Sequence, residues 1–126
     1  MKSYDPLVQV PYSEWLALDE DQRIALVKNY HESLEEELEE GALNLHSSLH
    51  VVVENQLALG EDYVIEAVAR LMRQGEDRHE AIHAVAAVLS EGIFNTLKGG
   101  SEAFEVNNYR RKLEKITSKR WRKGQI

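Results

Sequence analysis

The chain has 126 residues, 43% hydrophobic and 29% charged, with a formal net charge of −7. That is one domain with room for a buried core and an ordinary soluble balance of residue types. It has no cysteine, which excludes disulfides and thiolate ligands. No apolar run approaches a membrane span, and Met1-Lys2-Ser3-Tyr4-Asp5-Pro6 lacks the apolar core of a signal peptide, so a cytoplasmic protein without a membrane partner is expected.

Pro6 and Pro11 are the only prolines, and everything after Ser13 reads as helical. No stretch shows the sustained period-two alternation of a strand, so no sheet is expected. A short helix starts near Ser13 and carries Trp15 and Leu16. Asp19 is placed to cap a second helix, with Ile24, Leu26 and Val27 as its apolar face, ending near His31. The run Glu32, Glu35, Glu36, Glu37, Glu39 and Glu40 reads as a solvated face that extends this helix until Gly41 weakens it.

The next helix is expected over residues 45–59, with Asn44 as N-cap and Gly60 as stop. Another covers 62–74, with Val64, Ile65, Val68 and Leu71 inward and Gly75 as stop. Asp77 caps a helix running to about Leu97, and Glu80 completes a capping box. A last helix or frayed tail covers 101–119. The fold class is all-α: a single-domain helical bundle of about five helices without a sheet. Residues 1–108 form the bundle, with a core motif region at 43–98, and 109–126 form a basic C-terminal helix or tail.

That tail carries eight lysines and arginines against Glu114 alone, about +7, which leaves about −14 on the rest of the chain. It offers Tyr109 and Trp121 as stacking surfaces for nucleic acid. Because the whole protein is acidic, docking on its own or a second subunit's acidic stretch, or plain solvation, is the favoured reading, and nucleic acid is not.

A short motif occurs twice. Residues 44–52 read Asn-Leu-His-Ser-Ser-Leu-His-Val-Val, and residues 77–85 read Asp-Arg-His-Glu-Ala-Ile-His-Ala-Val. Each copy places two imidazoles one helical turn apart after a capping residue, and four of the five histidines are used this way. An up-down-up bundle makes the two motif helices parallel, with both N-termini at one end and the four imidazoles level. The positive end of each helix disfavours imidazolium and keeps the rings neutral. The candidate metal ligands are therefore His46, His50, His79 and His83, with Glu54 one turn beyond His50 as an extra ligand. Such a set suits one divalent transition metal: Zn, Fe, Mn, Ni or Cu.

The structural alternative is half-buried, hydrogen-bonded histidines on the border of an apolar face. His79-Glu80-Ala81-Ile82-His83 also matches the zinc-protease pattern, in which the glutamate activates water. Glu80 is already explained as a cap residue, and a third ligand would have to be Glu102 or Glu105, so peptidase activity is not favoured. Glu76-x-x-His79 and Glu80-x-x-His83 match half of a di-iron signature whose other half is missing.

The segments Leu49-His50-Val51-Val52-Val53-Glu54-Asn55-Gln56-Leu57 and Asp77-Arg78-His79-Glu80-Ala81-Ile82-His83-Ala84-Val85 resemble a family of small, uncharacterised bacterial proteins, a domain of unknown function with paired His-x3-His motifs. The similar region covers about residues 43–98, with a looser match at 15–31. The resemblance implies a bacterial, all-helical, cytoplasmic protein and brings no substrate or catalytic residue.

The leading expectation is a metal-binding helical protein with no catalytic residue assigned, an enzyme being the less favoured reading. The alternatives are a self-associating interaction module, forming a homo-oligomer, and nucleic-acid binding through the tail.

Overall fold

Helices are the only regular elements among the described residues, 1–34, 39–99 and 104–126, of the computed structural model. They are α1 (Tyr12–Ala17), α2 (Glu20–Ser33), α3 (Glu40–Ala58), α4 (Asp62–Arg73), α5 (Arg78–Lys98), α6 (Val106–Lys115) and α7 (Ser118–Arg122). Only α1 and α7 are shorter than ten residues, so the described residues hold five longer helices and no strand, in keeping with the expected all-α class. Among the described residues no helix is long and apolar enough to cross a membrane. The chain divides into two compact units, Met1–Gly60 and Glu61–Ile126.

In the first unit, α3 packs against α1 and α2. Tyr4, Val10, Trp15, Val27 and Val51 form its core. Asn55 Oδ1 accepts from Trp15 Nε1 at 2.9 Å and from the Arg23 guanidinium at 3.0 Å, tying α1 and α2 to one side chain of α3. Asp19 caps α2 as expected, and Gln22 completes the capping box: Asp19 Oδ1 accepts from Gln22 N at 2.8 Å, and Gln22 Oε1 accepts from Asp19 N at 2.9 Å.

The start of α3 differs from expectation. It begins at Glu40, so Asn44 lies inside the helix and caps nothing. Glu39 takes the N-cap position without a side-chain bond, and Leu43 N donates to Glu39 O at 2.9 Å. The reason is local: Glu40, Ala42 and Leu43 all favour helix, and together they outweigh the preference of Gly41 for other conformations, about 1 kcal/mol. The helix expected to extend through the glutamate run ends at Ser33; Glu35, Glu36 and Glu37 lie outside the described residues. At the far end Gly60, at φ +81°, turns the chain where the sequence placed the stop, and Gly75, at φ +109°, does so after α4.

In the second unit α4, α5 and α6 pack against one another. The inward face of α4 is Val64, Ala67, Val68 and Leu71, at the i, i+3, i+4, i+7 spacing of one helix face. Ile65, expected inward, is 40% exposed, one position off that face. The basic segment is folded into this unit. Tyr109, Leu113 and Ile116 are buried, and the Arg70 guanidinium donates to Leu113 O and Ile116 O, both at 2.8 Å, satisfying carbonyls at the end of α6. Thr117 caps α7. Glu76 Oε1 accepts from Ser118 Oγ at 2.9 Å and Arg122 Nε at 2.7 Å, and Lys112 pairs with Glu91. The first residues of the expected last helix, from Ser101, lie outside the described residues. Tyr109, offered above as a stacking surface, is 2% exposed, and Trp121 is half-buried with its Nε1 donating to Glu80.

Candidate metal centre

In the first unit three imidazoles converge. The last turn of α2 carries His31, and successive turns of α3 carry His46 and His50. Ring centroids lie 4.5 Å apart for His31 and His46, and 4.9 Å apart for both His31–His50 and His46–His50. His31 and His50 are buried. The Nε2 atoms of His31 and His46 are 2.9 Å apart. Two nitrogens bound to one first-row metal at about 2.05 Å lie roughly 2.9 Å apart at a right angle and roughly 3.4 Å apart in a tetrahedron, so this pair already has the spacing of adjacent ligands.

The hydrogen bonds behind the rings set their tautomers. His31 Nδ1 lies 2.9 Å from Val27 O, a carbonyl that only accepts, so Nδ1 carries the proton and Nε2 the lone pair. The Tyr4 hydroxyl donates to Glu54 Oε2 at 2.6 Å. Its proton being committed there, its oxygen accepts from His50 Nδ1 at 3.2 Å, which again puts the lone pair on Nε2. A ring anchored by Nδ1–H to an oxygen, with Nε2 facing forward, is the usual posture of a metal-ligating histidine.

The second unit repeats the posture once. His79 and His83 lie with ring centroids 4.1 Å apart and planes tilted by 55° near the N-terminus of α5. His83 Nδ1 lies 3.2 Å from Glu80 Oε1, and Glu80 Oε2 accepts from Trp121 Nε1 at 2.9 Å. The capping box expected at this helix is thus half formed. Asp77 accepts from Glu80 N at 2.8 Å, but the Glu80 carboxylate turns forward, where an imidazole and an indole N–H are available to it. With both oxygens engaged, Glu80 orients His83 and is not poised to activate water in the zinc-protease manner.

Residues 13–115 match the model of a family described as a domain of unknown function, DUF1841. The chain belongs to that family. No curated protein and no solved structure matches it. The span matched by DUF1841 is wider than the motif region at 43–98, running from α1 to the end of α6. It contains all five histidines, while Tyr4 and Trp121, which hold His50 and Glu80, lie outside it.

Within this DUF1841 chain, the sequence-derived candidates His46 and His50 meet each other, as do His79 and His83. Glu54 is fully buried and reaches His50 through Tyr4. His46 sits in the second turn of α3, so the helix N-terminus expected to keep it neutral is not beside it. His31 and Tyr4 escaped sequence reasoning. His31 belongs to no motif, its one signal being that it is the fifth histidine at the end of an apolar-faced helix. Tyr4 lies in a non-helical segment with no periodicity to mark it. Of the alternative third ligands for a protease, Glu102 lies outside the described residues and Glu105 is exposed ahead of α6.

Proposed function

We propose that this protein binds a divalent transition metal through imidazole nitrogens: His31, His46 and His50 of the first unit, with His79 and His83 as ligands of the same kind. The observation that carries this reading is the repeated anchoring of Nδ1. His31, His50 and His83 each place that nitrogen on an oxygen, the Val27 carbonyl, the Tyr4 hydroxyl and the Glu80 carboxylate, so that Nε2 is the basic face. His31, His50, His79 and His83 are each able to offer a nitrogen. The bond between His31 and His46 is one an ion would replace, since both nitrogens can turn lone pairs to it once one proton is lost. Glu54 acts through Tyr4, fixing the orientation of His50. Zn, Ni and Cu suit an all-imidazole set best, and Fe or Mn would draw on Glu54 as an oxygen ligand.

The test is elemental analysis and zinc titration of the chelator-treated protein beside His50→Ala and His83→Ala variants. The expected result is tightly bound metal in the parent and a lower metal content in each variant. Equal metal content in parent and variants would overturn the proposal.

A second reading, self-association, rests on α5. Phe94 and Leu97 are 62% and 75% exposed on its C-terminal half. A second copy of this chain is the occupant its charge favours, because the chain carries both a strongly acidic and a strongly basic segment.

A further inference from the structure

The second unit carries a cleft that the histidine chemistry leaves unused. It opens between α5 and α6 and encloses about 530 Å³, within the size range of small-molecule sites. Its apolar wall is aromatic: Phe104 and Tyr109 meet edge to face with centroids 5.5 Å apart. Gly92 shapes that wall. A Cβ at this position would lie 2.6 Å from Phe104 Cε2, so the ring rests directly on the α5 backbone.

The lining is also charged. Lys112 is neutralised by Glu91. Arg111 donates to the neutral amide of Asn108, and neither Arg111 nor Lys115 pairs with an acid among the described residues. Glu105 is the acid in the lining. Two cations against one carboxylate leave a single net positive charge beside an aromatic surface.

We propose that this cleft binds a planar aromatic monoanion, specifically an aromatic carboxylate. The ring lies against Phe104, and the carboxylate takes the Arg111 guanidinium, whose planar fork matches it, with Lys115 adding charge. The ligand needs both halves: the cation side discriminates against a neutral amide, and the aromatic wall against an aliphatic acid.

The experiment is a two-dimensional amide NMR titration of the full chain with indole-3-carboxylate, its neutral carboxamide, and cyclohexanecarboxylate. The carboxylate is expected to shift amides around Gly92 and Asn108 saturably, and the two controls to bind at least about tenfold more weakly. Arg111→Met, an exposed substitution, is expected to lose about tenfold in affinity, and Gly92→Ala to lose binding by pushing Phe104 from its seat. No saturable shift at millimolar ligand, equal binding of either control, or an unchanged affinity in Arg111→Met would each overturn the proposal. Should Gly92→Ala unfold, Arg111→Met still decides it.

Discussion

Tyr4 is the residue on which the first unit's polar interior turns. Its hydroxyl joins a buried carboxylate to a buried imidazole, Glu54 to His50. Tyr4→Phe keeps the ring in the core and removes that junction. The expected cost is about 1–3 kcal/mol of unfolding free energy, because Glu54 loses a donor inside the protein. Zinc affinity is expected to fall by about 10–100-fold as His50 loses its orienting partner. Denaturant titration and metal competition measure the two effects, and a variant indistinguishable in both would remove Tyr4 from the site. Glu76 makes a different prediction. The hydrogen bonds from Arg122 and Ser118 hold its carboxyl below the ordinary value of 4.5. Its folded pKa is thus depressed relative to the unfolded chain. The stability it contributes is full above the unfolded value and is lost as pH falls through the folded one. The gap in stability between the parent and Glu76→Gln should therefore be constant from neutral pH down to about pH 5 and close at lower pH; a gap unchanged at pH 3 would refute this. Neither residue was legible in the sequence, since each draws its role from partners more than forty positions away.

At the scale of elements, legibility followed the strength of local signals. Asp19 and Asp77 were readable as caps because each precedes a run of helix formers and acts on the backbone three residues on. Gly60 and Gly75 were readable as stops because a left-handed turn leaves few other choices. Asn44 misled because a good capping residue sat beside a histidine motif, while the weaker sequence before it also prefers helix. Gly41 is the legacy of that ambiguity. It lies in the first turn of α3, where a Cβ would meet nothing within 4 Å. Gly41→Ala is expected to stabilise the protein by about 0.5–1 kcal/mol, seen as a higher denaturation midpoint; a lower midpoint would mean that the helix does not start at Glu40. Glu80 failed in the opposite way: the motif that marks a capping box was present, yet its side chain found His83 and Trp121.

At the scale of the whole molecule, the all-α class was legible because nothing in the chain alternates with period two. The meeting of His46 with His50 was legible from their spacing, but the grouping with His31 was not, since His31 enters through the packing of α2 on α3. Self-association belongs to this scale. If α5 is covered by a second copy, sedimentation should show a dimer that becomes monomeric in Leu97→Lys, because a buried charge there costs more than the apolar contact gains. A parent chain that stays monomeric across concentration would end that reading. The contact between His31 and His46 has one more consequence. The two residues stand 15 positions apart. An ion gripping both would lock the chain into a ring, much as a disulfide does in secreted domains. For a ring of this size the freedom withdrawn from the unfolded chain is worth about 3 kcal/mol. In a protein without a single cysteine, an imidazole-held ion would be the available cross-link, and one that can be removed with a chelator.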